Sequence, residues 1–160
     1  MKVLFVEPPK VFWFVMGEYM PPPLGILQLA AYLESKNDKW DIEVLDSQAE
    51  NFGWSKLQRF IESAMPDVIV SSALATCNTF TILRTIEIAK KVDPDIKTVV
   101  GGQHFTALAD ESLKTYPEID FVVRGEGEVT LYELVKALDE ETSLLDVKGL
   151  SFRNNNEIIH

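Results

Sequence analysis

The feature that most constrains the fold of this chain is the alternation of short apolar, β-branched runs with stretches of helical period. Five such pairs follow one another along the 160 residues. This alternation predicts a parallel sheet, because parallel strands need connections long enough to hold a helix. Since such crossovers are almost always right-handed, we expect an α/β domain with a flavodoxin-like, doubly wound, five-stranded parallel sheet in the order 2-1-3-4-5.

The predicted elements can be given limits. Strands are expected at residues 2–6, 42–46, 67–74, 97–102 and 119–125. Helices are expected at 23–36, at 55–64, through Ile82, Ile86 and Ala89 up to Asp93, over 108–113 and at 128–138. The first helix should bury Leu24, Leu27, Ala30, Ala31 and Leu33, and the last one Leu131, Leu134, Val135 and Leu138. Residues 147–160 predict a C-terminal β-hairpin after a main domain at 1–146.

Charge and composition exclude several classes of protein. The formal net charge of −10 repels phosphate backbones and anionic lipid, so we expect no nucleic-acid or membrane partner. No apolar run is long enough to cross a bilayer and no signal peptide is evident, which favours a cytoplasmic location. Cys77 is the only cysteine, so we expect neither a disulfide within this chain nor a cysteine-rich metal site. Its thiol is expected to be buried.

Candidate binding residues come directly after the predicted strands, at the edge where ligands bind in open α/β sheets. The loop after the first strand, residues 7–22, is long and apolar, and it includes Pro9 and Tyr19. We expect it to cover a ligand. The alternatives are that it folds back on its own helices, or that residues 11–20 form the docking surface of a non-catalytic protein-interaction domain.

Small and polar residues follow the third and fourth strands. Ser71, Ser72, Leu74 and Thr76 leave room for a ligand and offer hydroxyl groups, although Ser and Thr there could instead cap the next helix. The fourth strand ends in a pair of glycines before an amide and an imidazole: Gly101, Gly102, Gln103 and His104. Glycines permit a close approach of a ligand to the backbone, or a tight turn alone.

The fifth strand is followed by glycines and carboxylates at the start of a helix, namely Gly125, Glu126, Gly127 and Glu128. These carboxylates could accept hydrogen bonds from ribose or amide groups, or could form an acidic helix cap. The sequence has no GxGxxG in the first turn, no P-loop, no GxSxG and no HExxH. We therefore predict no catalytic or metal-ligating residues.

Four segments, taken together, resemble the N-terminal cobalamin (B12)-binding domain of B12-dependent radical SAM proteins. These proteins include methyltransferases and the anaerobic magnesium-protoporphyrin IX monomethyl ester cyclase. The segments are "PPPLGILQLAAYLE" (21–34), "VVGGQHFTALADE" (99–111), "IDFVVRGEGEVTLYEL" (119–134) and "GLSFRNNNEI" (149–158). Of the older B12 signature, the SxL element is present at residues 72–74 and the GG element at 101–102, whereas DxHxxG is absent.

The resemblance implies cobalamin as the cofactor and the residues singled out above as its binding site. It implies that the nucleotide tail runs between the strands beside Ser72, Leu74 and the two glycines, with His104 near this channel and not on cobalt. No histidine lies between Glu7 and Tyr19. The resemblance therefore implies that the lower ligand of cobalt is neither the cofactor's own dimethylbenzimidazole base nor a histidine. It further implies a separate C-terminal radical SAM barrel that holds a [4Fe–4S] cluster and S-adenosylmethionine, and a hairpin at 147–160 that leads to it.

Overall fold

The computed structural model describes residues 1–9, 22–73, 76–155 and 157–160. Its strands are β1 Lys2–Glu7, β2 Asp41–Asp46, β3 Val68–Ser72, β4 Lys97–Gly101, β5 Phe121–Val123, β6 Leu150–Asn154 and β7 Glu157–Ile159. Its α-helices are α1 Leu24–Lys36, α2 Trp54–Ala64, α3 Thr79–Val92, α4 Gln103–Ala107, α5 Ala109–Thr115 and α6 Gly127–Asp139. A single 3₁₀ turn at Thr76–Asn78 precedes α3.

The described strands form one sheet in the order β2-β1-β3-β4-β5-β6-β7. The first five in this order are parallel, which confirms the predicted doubly wound sheet and its strand order. The C-terminal hairpin continues the sheet, because β6 pairs antiparallel with β5 and β7 antiparallel with β6. The predicted hairpin is thus confirmed as part of the sheet, and its role in leading to another domain stays a prediction.

Helices cover both faces of the sheet, which explains why the parallel strands are continuous apolar runs. The face with α1 and α6 buries Val68, Val70 and Val99, and the face with α2, α3 and α5 buries Ile69 and Val100. Successive side chains of a strand point to opposite faces, so each strand supplies both hydrophobic layers. This alternation also decides which strand residues can face a ligand.

The apolar face of α1 differs from the predicted one. Ile26, Ala30 and Leu33 are buried, whereas Leu24 is 70% exposed and Leu27 is 41% exposed. The spacing of four and then three residues puts the buried side chains on one stripe of the helix. Ala30 and Leu33 are therefore buried as predicted, whereas Leu24, Leu27 and Ala31 are exposed and lie off this stripe.

The segment after β4 is also corrected. Instead of one helix over 108–113, the chain forms α4 directly after Gly102 and α5 after a break at Leu108. The φ of +89° at Gly102 turns the chain from the strand straight into α4. The predicted strands at 67–74 and 119–125 are longer than the observed β3 and β5.

Arg153 of β6 ties the hairpin to the main domain. Its guanidinium donates hydrogen bonds to the backbone carbonyl oxygens of Leu113, Pro117 and Ile119, at the end of α5 and in the loop before β5. A guanidinium can serve several acceptors at once because its donors lie in a planar fork. One side chain therefore joins β6 to three carbonyl groups of the segment from the end of α5 to β5.

Replacing Arg153 with lysine should lower the free energy of unfolding by about 2 kcal/mol, because an ammonium cannot reach all three carbonyl groups. Urea denaturation measures this loss. Arg59→Lys is the matched control, since Arg59 is exposed on α2, and it should change stability by less than about 0.5 kcal/mol. Equal stability of the two variants would contradict a tethering role for Arg153.

Candidate functional site

A cavity of about 240 Å³ lies at the carboxyl edge of the sheet, where α1 and α6 meet the ends of β3, β4 and β5. We call it the α1–α6 groove. The residues that line it come from all five elements and the loops that follow the strands: Gly25, Gln28, Leu29, Val70, Ser71, Ser72, Val99, Val100, Gly101, Gly102, Val123, Gly125, Glu126, Gly127, Glu128 and Leu131. Its position is the one that open α/β sheets use for ligands.

The structure brings eight of the predicted site residues to this groove. They are Ser71, Ser72, Gly101, Gly102, Gly125, Glu126, Gly127 and Glu128. Thr76, Gln103 and His104 lie at the same edge of the sheet but not in the lining, and Pro9 is buried after the end of β1. Tyr19, Leu74 and the apolar loop at 11–20 lie outside the described residues.

The contribution of α1 to the groove was not predicted. Gly25, Gln28 and Leu29 line it, and a Cβ atom on Gly25 would meet nothing within 4 Å. Glycine near the start of a helix costs stability relative to alanine. Gly25 follows the prolines at the start of α1, where glycine is unfavourable for a helix. This glycine is the sequence signal that could have indicated open space beside α1.

The floor of the groove is made by residues on one side of three strands. Because Val70, Val99 and Val123 pack on the α1 and α6 face, alternation along the strands puts Ser72 and Gly101 on that face too. A Cβ atom on Gly101 would lie 3.3 Å from the carbonyl oxygen of Val123. A side chain on Gly101 would therefore press against the backbone of β5, and glycine permits the close approach of the two strands there.

Gly102 has a different role, although it is the neighbour of Gly101. Its φ is +89°, and a Cβ atom there would lie 2.3 Å from the carbonyl oxygen of Ala73. The backbone directly after β3 therefore fills the space that a side chain would take. The tight-turn alternative is observed at Gly102, and contact of either glycine with a ligand stays a prediction.

The hydroxyl groups of the two serines at the end of β3 also have different environments. The Ser71 hydroxyl is buried and donates a hydrogen bond of 2.8 Å to the carbonyl oxygen of Val6, which joins β3 to β1. The Ser72 hydroxyl has no hydrogen-bond partner among the described residues and lines the groove. Asn78 precedes α3 and no side chain caps that helix, so the capping alternative for Ser72 and Thr76 is not observed.

Polar groups stand at the mouth of the groove. Gln28 of α1 donates a hydrogen bond of 2.7 Å from its Nε2 to Oε1 of Glu128 in α6. Glu126 precedes α6, is exposed and makes no capping hydrogen bond through its side chain. The mouth therefore presents carboxylate oxygens, which accept hydrogen bonds, above an apolar floor.

Neither of the two histidines lines the groove. His104 lies with its Nδ1 atom 3.4 Å from the Thr76 hydroxyl and packs edge-on against Phe105, with ring centroids 5.2 Å apart. His160 lies on the hairpin, 2.9 Å from the Ser151 hydroxyl. Within the described ranges, no group of three or more His, Cys, Asp or Glu side chains is arranged to hold a metal ion.

Two further expectations concern the surface. The thiol of Cys77 is exposed in the 3₁₀ turn, so the expectation of a buried cysteine was wrong. Cys77 is exposed because it lies in a turn at the surface, where fewer neighbouring residues cover a side chain than inside the sheet. Among helices in the described part of the chain, none combines the length and apolar character needed to cross a membrane.

The fold and the groove define a ligand-binding domain of the doubly wound α/β class. A family model described as the B12 binding domain matches residues 15–135. The chain belongs to this B12-binding family. The predicted resemblance and the predicted cofactor, cobalamin, are thereby confirmed.

Curated relatives match nearly the whole chain. An uncharacterized methyltransferase of Pyrococcus horikoshii is 33% identical over 99% of the chain, which covers 34% of that protein. The anaerobic magnesium-protoporphyrin IX monomethyl ester cyclase of Rubrivivax gelatinosus is 33% identical over 95% of the chain, which covers 28% of that protein. The chain thus spans about a third of the length of these relatives.

A solved structure has the same fold. The radical S-adenosylmethionine methyltransferase TsrM from Kitasatospora setae, with cobalamin and a [4Fe–4S] cluster bound, matches with a TM-score of 0.80 and 22% identity. The match covers 98% of this chain and 28% of TsrM. The chain thus has the fold of the corresponding part of TsrM.

Proposed function

We propose that this chain is the cobalamin-binding part of a longer radical SAM enzyme, and that its α1–α6 groove holds the nucleotide tail of cobalamin. The observation that carries this proposal is the cavity at the carboxyl edge of the sheet, lined by the ends of β3, β4 and β5. A volume of about 240 Å³ suits one bicyclic base, which is the end of that tail. The predicted residues in the lining would make its contacts.

The residues present fit such a ligand. A Cβ atom on Gly25 or Gly125 would meet nothing within 4 Å, so both walls of the groove leave room beside the backbone. The Ser72 hydroxyl on the floor has no hydrogen-bond partner in the described part of the chain, and Glu126 and Glu128 offer acceptors at the mouth. Thr76, Gln103 and His104 would lie beside the ligand at the same edge of the sheet, as would Pro9, Tyr19 and Leu74.

We also propose that cobalt is bound without its own base and without a histidine below it. Both histidines are outside the groove, and the sequence from Glu7 to Tyr19 contains none. When bound, cobalamin would carry a methyl group or take part in electron transfer. This domain would hold the cofactor in place, without catalytic residues of its own.

The relatives support a proposal about the remaining domains of the enzyme and its reaction. Their greater length supports a separate radical SAM barrel, with a [4Fe–4S] cluster and S-adenosylmethionine, joined to the main domain through the hairpin at 147–160. The reaction would be methyl transfer or a related cyclization. The exposed thiol of Cys77 supports a cytoplasmic location, because the cytosol keeps thiols reduced.

Cobalamin binding and its location can be tested together. Purified chain mixed with hydroxocobalamin should keep the colour through gel filtration, and the spectrum should show no histidine coordination. Gly25→Phe should raise the dissociation constant about tenfold or more, because the ring extends into open space that the tail would use. Visible absorption titration measures this change.

Leu24→Phe is the matched control. Leu24 is 70% exposed on the same helix and does not line the groove, so its variant should bind cobalamin as the unmodified chain does. An equal loss in both variants would contradict the proposed location of the tail. No retention of cobalamin by the unmodified chain would contradict its binding as an isolated domain.

A further inference from the structure

We infer that the α1–α6 groove selects among cobalamin-like cofactors by the chemistry of their lower base, and favours dimethylbenzimidazole over adenine. This inference rests on the proposed function, since it requires the nucleotide tail in the groove. It goes further because it assigns a specificity to residues on the floor. The relevant property is the number of hydrogen bonds that the floor can offer to a base.

Most of the side chains on the floor are apolar. Val70, Val99, Val123 and Leu131 are all at most 6% exposed, and Leu29 closes the side toward α6, where a Cβ atom on Gly127 would lie 3.1 Å from its Cδ2 atom. A base with methyl groups on its ring would bury them against these side chains. Burial of apolar surface is favourable in proportion to its area.

The polar groups on the floor are few. The Ser71 hydroxyl already donates to the carbonyl oxygen of Val6, and only Ser72 among the lining hydroxyls of the described residues lacks a partner. Buried side-chain atoms without a hydrogen bond occur, in the described ranges, on Ser47, Thr79 and Arg124, and none of these residues lines the groove. The floor therefore provides side-chain partners for a single polar atom of a base.

The two bases differ in what they require. Dimethylbenzimidazole that is not bound to cobalt has a single ring nitrogen that accepts a hydrogen bond, and the Ser72 hydroxyl can donate to it. Adenine brings further ring nitrogens and an exocyclic amine that donates. Their partners in water would be lost on the floor, and an unpartnered buried polar group is unfavourable. Gln28, Glu126 and Glu128 stand at the exposed mouth, away from the apolar floor.

The test compares three cofactors with the purified chain by absorption titration. They are cobalamin, its analogue with adenine as lower base, and cobinamide, which lacks the nucleotide. Cobalamin should bind about 10- to 100-fold more tightly than the adenine analogue. Cobinamide should bind more weakly than cobalamin, because it leaves the groove unused.

The outcomes separate this inference from the proposed function. Equal or tighter binding of the adenine analogue, with weaker binding of cobinamide, would overturn the selectivity and leave the tail in the groove. Equal binding of cobinamide and cobalamin would overturn the location of the tail. Binding of none of the three would overturn cobalamin binding by the isolated domain.

A substitution on the floor gives a second measurement. Val123→Thr adds a hydroxyl at nearly constant volume in the lining of the groove, and it should reduce the preference for cobalamin about threefold or more. Val44→Thr on β2 is the matched control, since Val44 packs on the same face outside the groove. An unchanged preference in a folded Val123→Thr variant would contradict selection by the floor.

Discussion

Replacing Gly102 with alanine should lower the free energy of unfolding by about 3 kcal/mol or more. The backbone at Gly102 has φ +89° and ψ −179°, a conformation that residues with a side chain rarely adopt. The new Cβ atom would also lie 2.3 Å from the carbonyl oxygen and 3.0 Å from the nitrogen of Ala73. Both atoms belong to the residue directly after β3, whose backbone N–H donates a hydrogen bond of 3.0 Å to the carbonyl oxygen of Gly101, so they cannot move aside without breaking this bond.

Urea denaturation of the two proteins at one temperature measures this effect. Gly25→Ala is the control, because Gly25 lies in a helix with nothing within 4 Å of its Cβ position. Alanine there should leave stability unchanged or raise it by up to about 1 kcal/mol. If Gly102→Ala were as stable as Gly25→Ala, the close approach of β3 to Gly102 would be wrong.

The second large effect is expected at Asp120, at the opposite edge of the sheet. Its Oδ2 atom accepts hydrogen bonds from the ammonium of Lys90 at 2.7 Å and from the backbone N–H of Thr98 at 2.8 Å. Lys90 also donates to the carbonyl oxygen of Ile96. One carboxylate thus joins the end of α3, the start of β4 and the start of β5.

Asp120→Ala should lower the free energy of unfolding by about 3 kcal/mol, since it leaves a partly buried ammonium and a backbone N–H without their partner. Thermal or urea denaturation measures the loss. Asp110→Ala removes a carboxylate that pairs with Lys114 at 2.6 Å on the exposed surface of α5, and it should change stability by less than about 1 kcal/mol. Similar losses in the two variants would contradict a structural role of the Asp120 network.

Much of the fold could be predicted because periodicity reports burial directly. The parallel strands read as continuous apolar runs, and the stripe of Leu131, Leu134 and Val135 on α6 is buried as expected. The predicted face of α1 was right at Ala30 and Leu33 and wrong at Leu24 and Leu27, which are apolar but exposed. A sequence shows that a residue is apolar, and only the packing shows whether another element covers it.

The residues of the site were harder to predict from the sequence than the fold. The ends of β3, β4 and β5 were expected to meet because parallel strands share a carboxyl edge, and they line one groove. The distinct environments of Gly101 and Gly102 depend on which strand face each residue occupies and on how closely Ala73 approaches. The contribution of Gln28 and Leu29 depends on the contact of α1 with α6, which local sequence patterns do not report.

The contact between α1 and α6 also bears on how the domain folds. Gln28 and Glu128 are 100 residues apart in the chain, yet they join the two walls of the groove. Contacts so distant in sequence form only after the intervening chain has ordered, because closing a long loop costs entropy. The ligand site is therefore absent from partly synthesised or partly folded chains. A cofactor that binds there stabilises only the completed domain, so its capture would report that folding has finished.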